Sequence, residues 1–359
     1  MEQSNDTSLL LELLAAPAFS VRNGIIELCN RQAQSLSILP GTSVSDLIRI
    51  GVEEYAAMES GCLYLSLTVG EMPFGASVSR MSGYDLFLLE SGSSQPELEA
   101  FGIASRELRG PLSDLKMISG ILLPKLGEEN REWAGAINHS IYKLMRIVNN
   151  MANAQSFAED SQHRMEELQP GSVLRELLQQ ELAPLLSQVN ISLVFTDRTD
   201  GLWCLIDEYK WNQAIYALIS NAANFVQKDG TGTIQVTLKR SGERLVLTVT
   251  DNGAGIPPSI MGSVFARFHR SDMAEDSRHG IGLGLVLVRS VAAAHGGTVM
   301  IDQPPGWGTR ITMTIPIRRG KELDLSSCTP GIVIRSTSDG LVNLSNILPS
   351  HLYTPDQID

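Results

Sequence analysis

Two stretches of this chain carry apolar residues at the spacing of a helical seam. Phe101, Ala104, Leu108, Pro111, Leu115, Ile118 and Leu122 recur at alternating steps of three and four, and so do Ile137, Ile141, Leu144, Val148 and Met151. Heptad spacing of this kind specifies facing helices and excludes strands. Between the two seams lies Leu122-Leu-Pro-Lys-Leu-Gly127. Its proline lacks an amide donor and interrupts the helix. The pattern predicts a helical hairpin over 96–158 with a narrow apolar stripe on each arm. A lone hairpin buries such stripes poorly, whereas two hairpins make a four-helix bundle, so a homodimer is the expected assembly. The alternative is a hairpin packed on its own chain.

The flanking segments have a different character. Over 9–90, short alternating runs are separated by turn signals, among them Asn23-Gly24 and Gly70-Glu71. They predict a small α+β domain. Over 167–318, strands alternate with helices. Strands are expected at 191–195, 202–206, 233–238 and 244–250, with Asp207 as the N-cap of a helix reaching about 227. A further helix over 283–295 and strands near 298–302 and 310–316 complete an α/β sandwich, one sheet with helices on one side. The whole is a multi-domain α+β chain, consistent with its 359 residues.

Composition narrows the setting. A formal charge of −12 argues against nucleic acid or an anionic membrane as partner, because both repel it. The four cysteines (Cys29, Cys62, Cys204, Cys328) show neither a CxxC pair nor zinc spacing, so free thiols in a reducing compartment are expected. The polar, acidic N-terminus does not read as a signal peptide, and no stretch is apolar enough to span a bilayer. A cytoplasmic protein without membrane insertion follows as the expectation.

The chemistry concentrates in the last third. Asp251-Asn-Gly253-Ala-Gly255-Ile256 follows directly on a strand. Its glycines permit close backbone approach to a ligand, and a carboxylate there accepts from an exocyclic amine such as adenine's. Gly280-Ile-Gly282-Leu-Gly284 opens a helix, where backbone N–H groups and the positive dipole end suit phosphate. Asn221 and Asn224 share a helix face. Asn221 is a poor helix former among apolar and small neighbours, and its oxygen is a hard ligand suited to Mg2+. A solvated helix face is the alternative for Asn224.

In order and spacing, Asn221, Asp251-x-Gly253-x-Gly255, Phe265-x-x-Phe268, Gly280-x-Gly282-x-Gly284 and Gly308-Thr309 resemble the ATPase domain of sensor histidine kinases, shared with the gyrase, Hsp90 and MutL superfamily. The resemblance covers about 97–317. It implies ATP and Mg2+ as cofactors, with Asn221 on the metal and Asp251 on the adenine amino group. It makes 257–279 a lid containing Phe265 and Phe268, and sets Thr309 near the adenine. Ala217 stands where the family often has a first asparagine, and Asn224 where a Lys or Arg often contacts phosphate.

The hairpin carries Ser105-Arg106-Glu107-Leu108-Arg109-Gly110-Pro111-Leu112. It resembles the family's phosphoacceptor motif in every element except the histidine, replaced by Arg106. An acceptor needs a neutral nitrogen lone pair to attack phosphorus. Arginine remains protonated and offers none. Arg106 is then either solvated or a fixed cation for a γ-phosphate or a partner's aspartate. Glu107 stands where the family places an acid that assists the histidine, or is a surface residue. His139 is expected exposed on the second helix, His269 and His279 bracket the lid, and His295 is expected at a helix end that favours a cation.

Residues 9–90 weakly resemble a PAS-type sensor domain. The segment 319–359 lies beyond the family's last strand; 331–335 and 341–348 suggest an added strand or docking on the core. The resemblance implies a dimeric two-component signalling protein, as homodimer or as heterodimer with a related kinase, whose partner is a response regulator or other signalling protein. Autophosphorylation at the usual position is not expected. The other readings are a regulatory pseudokinase, or a kinase acting on a non-standard residue or a partner's hairpin. A serine kinase of the anti-sigma type is disfavoured by the hairpin.

Overall fold

The computed structural model describes residues 9, 11–90, 96–159, 164–227, 230–257, 261, 264–265, 282–320 and 338–357. The N-terminal unit starts with the predicted hairpin of β1 (Ala18–Arg22) and β2 (Ile25–Cys29). Its turn residues Asn23 and Gly24 both have positive φ, 53° and 78°, as a type I′ turn demands. Then come α1 (Arg31–Ser35), β3 (Ile48–Ile50), α2 (Val52–Ala57) and the meander β4 (Cys62–Val69), β5 (Met72–Arg80) and β6 (Asp85–Leu89). The strands run in the order β2-β1-β6-β5-β4 over a core centred on the stacked rings of Phe19 and Phe87.

The hairpin consists of α3 (Pro96–Leu122) and α4 (Arg131–Glu159), with Pro111 inside an unbroken α3. Its seams divide between two targets. Leu112, Ile141 and Val148 pack within the hairpin, and the buried Ser119 bonds to Asn138 beside them. Leu108, Leu115, Ile118 and Leu122 on α3, with Ile137 and Leu144 on α4, stay 47–53% exposed. This apolar face has no counterpart among the described residues.

In the C-terminal unit a bent helix over 170–187 includes α5 (Pro170–Arg175) and α6 (Ala183–Ser187), flanked by the small ladder of β7 (Met165–Leu168) with β9 (Cys204–Asp207). The main sheet is built from β8 (Ser192–Arg198), β10 (Thr233–Ser241), β11 (Arg244–Asp251), β12 (Thr298–Asp302) and β13 (Arg310–Pro316), in the order β12-β13-β11-β10-β8. Alternation sends Leu245, Leu247 and Val249 of β11 into the core, against α7 (Glu208–Phe225) and α8 (Gly284–Ala294). Asp207 caps α7 as expected, accepting from the Lys210 amide at 3.1 Å. The hairpin is tied to α7 by Tyr209, which donates to Asn153 Oδ1 at 3.0 Å and meets Phe157 edge-on.

The sheets of the two units are one. β4 pairs antiparallel with β12 (Tyr64 opposite Val299, Leu63 opposite Met300, Cys62 opposite Ile301), giving an eleven-stranded sheet. Gly61 enters this seam with φ 92° and packs against the Ile301 carbonyl, where a Cβ has no room. Glu54 reinforces the junction with an ion pair to Arg244 at 2.6 Å.

The expectations for His139 and His295 are revised, and of the two alternatives for 341–348 one is found. The stretch over 341–348 docks on the core: α9 (Ser338–Asn343) and the turns after it lie between α4 and α7, while 331–335 falls outside the described residues. His139 is therefore not exposed. It is half-buried, stacked on Tyr353 at 4.6 Å and bonded to the Ser345 carbonyl at 2.7 Å. His295 is no helix-end cation: it is buried, Nδ1 lies 2.7 Å from the Val291 carbonyl, and Nε2 accepts from the Asp207 amide. Those partners require a neutral ring with its proton on Nδ1. Cys29, Cys62 and Cys204 are free, and burial pushes the Cys62 thiol up to about 12; Cys328 lies outside the described residues.

Candidate nucleotide site

Asp251 terminates β11 beneath the Gly308–Thr309 turn. Backbone bonds lock the two together: Asp251 N–H to the Thr309 carbonyl at 2.9 Å, and Gly308 N–H to the Asp251 carbonyl at 2.8 Å. The carboxylate is buried. Its Oδ1 accepts from the amides of Gly253 at 2.8 Å and Thr309 at 3.2 Å, while Oδ2 takes no hydrogen bond among the described residues. Burial pushes this carboxyl above the ordinary aspartate range, against the two N–H donors, which favour the anion. With one oxygen anchored and one spare, Asp251 is an acceptor of fixed direction. That is what reading an exocyclic amine requires.

The glycines are needed for packing. A Cβ on Gly308 would lie 2.5 Å from Asp251 Oδ1, and one on Gly253 would run into the Phe225 carbonyl. Gly255 holds φ 75°, and Ile256 packs on the core behind it. The amide of Ala254 reaches the Phe225 carbonyl at 3.4 Å, which sets this loop against the end of α7.

On α7, Ala217, Asn221 and Asn224 follow one another at helical steps of four and three. Ala217 faces the start of α8, its Cβ 3.9 Å from where a Cβ on Gly284 would stand. The N-terminal amides of the eleven-residue α8 therefore open beside the asparagine face, a polarity suited to an anion. Gly282, with φ 77°, makes the turn into that helix. The Asn221 amide is half-buried and has no hydrogen bond among the described residues.

Asp251, Gly253, Gly255 and Thr309 thus form one wall, with Asn221, Asn224 and Gly284 on the neighbouring helices. Phe268 and Gly280 lie outside the described residues. Phe265 turns into the core. It is 1% exposed, its ring lies 6.0 Å from Tyr64 of β4, and its carbonyl accepts from Arg289 at 2.8 Å. Arg289 is also buried; it pairs with Glu90 of the N-terminal unit and lies over the Tyr64 ring. Arg106 and Glu107 are exposed on α3. A surface cavity of about 670 Å3 lined by Arg198, Trp203, Arg240 and Arg319 sits at the opposite end of β8 and β10 from Asp251.

Sequence reasoning missed Asn346, which bonds to Asn224 from the C-terminal segment. Local pattern could not have found it, because the two residues are 122 positions apart.

Fold and site together define an ATPase domain of the gyrase and kinase type. Residues 206–319 match the family described as histidine kinase-, DNA gyrase B-, and HSP90-like ATPase. The chain is 29% identical over 239 residues to the sensor histidine kinase WalK of Bacillus subtilis, covering 64% of this chain and 38% of that protein. It is 29% identical over 243 residues to the circadian input-output histidine kinase CikA of Synechococcus elongatus, covering 65% and 31%. Full-length ShkA in complex with AMPPNP shares the fold, with a TM-score of 0.52 and 22% identity over 69% of this chain and 54% of that one. Residues 206–319 therefore carry an ATPase domain of that family, in a chain similar to sensor histidine kinases. The chain spans less than two fifths of the length of these two curated relatives. Among the described residues no helix is long and apolar enough to cross a membrane.

Proposed function

We propose that the protein binds Mg-ATP in two-component signalling and does not autophosphorylate at the family's usual position, so that nucleotide controls its conformation and its contacts with a partner. The observation that carries the ATP reading is Asp251: buried, anchored through Oδ1, with Oδ2 spare. Asp251 reads the adenine amino group beside Thr309. The loop Gly253–Ile256 and the glycines Gly282 and Gly284 frame the nucleotide; Phe268 and Gly280 lie outside the described residues, and Phe265, assigned to the lid by the resemblance, packs in the core instead. Among the described residues no three of His, Cys, Asp and Glu gather as a metal cage. The fitting ligand set for Mg2+ is Asn221 plus the nucleotide's phosphate oxygens, since magnesium is commonly held through few protein ligands. The metal would neutralise phosphate charge when bound.

Arg106 favours the regulatory reading over the active-kinase one, because a guanidinium has no lone pair with which to attack phosphorus. Glu107 beside it has no histidine to assist. In this reading 96–158 is the dimerisation hairpin, 167–318 the ATPase domain and 9–90 a PAS-type sensor, a view supported by its antiparallel order β2-β1-β6-β5-β4, with β3 added beside β4 and short helices in the crossover. The exposed apolar face of α3 and α4 supports a dimer, homotypic or with a related kinase, and the partner class is a response regulator. The compartment is the cytoplasm.

The test is competition binding of ATP and GTP to wild type and Asp251→Asn. Wild type should prefer ATP, and the variant should lose most of that preference. An unchanged preference would remove Asp251 as the adenine reader.

A further inference from the structure

α7 presents two stripes that meet at one residue. Ala217 faces the start of α8, with Asn221 one turn further along the same side, and Ser220 faces the C-terminal segment. Asn224 is seven residues after Ala217 and four after Ser220, so it belongs to both stripes. Its side chain is not free to turn. The buried Asn346 donates from Nδ2 to Asn224 Oδ1 at 2.7 Å, and the Oδ1 of Asn346 accepts from the Ser220 hydroxyl at 3.2 Å. With the Ser220 hydroxyl donating to the oxygen of Asn346, the amino end of Asn346 meets the oxygen of Asn224, and the two N–H donors of Asn224 are left pointing away from the C-terminal segment. They take no partner among the described residues.

The segment that carries Asn346 is held independently of Asn224. The Ser345 carbonyl is bonded to His139, the Tyr353 carbonyl accepts from Asn138 at 3.0 Å, the Tyr353 hydroxyl donates to the Leu341 carbonyl at 2.8 Å, and Leu344 and Leu348 are buried. That anchoring keeps the Asn346 amide beside Asn224.

We propose that Asn346 is a positioning residue for the nucleotide site: it locks the Asn224 amide with its N–H donors toward the phosphates, so that the C-terminal segment completes the phosphate end of the ATPase domain. This rests on the ATP reading above. Asn224 then supplies by oriented donors what a cation would supply by charge. An unlocked amide presents its oxygen as readily as its nitrogen, and an oxygen facing phosphate is repelled.

The test is calorimetric titration of the full chain with AMPPNP and with adenosine, for wild type, Asn346→Asp, Asn224→Ala and the double variant. Aspartate at 346 still accepts from Ser220 but draws the Asn224 amino group to itself, which turns the oxygen outward. The AMPPNP-to-adenosine affinity ratio should fall about tenfold, as for one hydrogen bond to a charged group, with adenosine affinity kept within about twofold. In the Asn224→Ala background the same substitution should change nothing further. A wild-type ratio in Asn346→Asp overturns the proposal. An undiminished loss in the Asn224→Ala background also overturns it, since that is the signature of added charge or a general disturbance. Wild type that binds no AMPPNP overturns the ATP reading, and the proposal falls with it.

Discussion

Replacing Gly308 by alanine tests the geometry of the adenine wall through one methyl group. The added Cβ would stand 2.5 Å from Asp251 Oδ1 and from both Gly253 N and O. Ordinary contact begins near 3.4 Å, so the Gly308 turn and the Asp251 loop must separate by about 1 Å. That opening stretches the bonds from Gly253 N–H (2.8 Å) and Thr309 N–H (3.2 Å) to the buried carboxylate past useful length. Each bond to a charged acceptor is worth about 1.5–3 kcal/mol, and partial relaxation recovers some of it, so a net loss of about 2–4 kcal/mol is expected. The same movement misaims the spare oxygen and should weaken AMPPNP binding more than about tenfold. Gly110→Ala is the internal control: nothing lies within 4 Å of its Cβ, it is exposed in the middle of α3, and it should stabilise by up to about 1 kcal/mol. Urea unfolding and nucleotide titration read both quantities. A Gly308→Ala protein within about 0.5 kcal/mol of wild type that still binds AMPPNP normally would refute the reasoning.

Two further outcomes are expected. Leu115→Asp with Ile118→Asp places charge on the exposed seam and should shift sedimentation from dimer to monomer with little loss of monomer stability; an unchanged dimer would locate the interface elsewhere. Burial lowers the pKa of His139, with Lys143 adding to the effect and the Ser345 carbonyl opposing it. The unfolded chain then binds the proton more readily, so stability is present above the ordinary histidine pKa and lost as pH falls through that range. Protection against hydrogen exchange over 338–357, corrected for the intrinsic slowing of exchange at lower pH, should fall between pH 7.5 and 5.5 in wild type and fall less in His139→Gln; an equal fall in both would clear His139 of the effect.

The features legible in the sequence are those with local causes. The hairpin followed from seam spacing, the Asn23–Gly24 turn from residues that tolerate positive φ, and the start of α7 from an aspartate able to cap it. The close packing of Asp251 with Gly253 and Gly308 fits the glycine pattern of the sequence, because only residues without a Cβ leave room there. What was not legible depends on meetings between distant segments. The β4–β12 seam is one such case: an edge strand shows its unpaired N–H and C=O groups but not its partner. His139 and His295 were misjudged for the same reason, since their covers come from Tyr353 and the Asp207 amide. Phe265 carried a motif identity but not its packing against Tyr64 and Arg289.

The most direct measurement of the central claim is exposure to γ-labelled ATP with Mg2+, beside a nucleotide-binding titration, for wild type and Arg106→His. The account predicts that both proteins bind nucleotide, that wild type takes up no acid-labile label, and that the histidine variant does. A labelled wild type, or a wild type that binds no nucleotide, would contradict it.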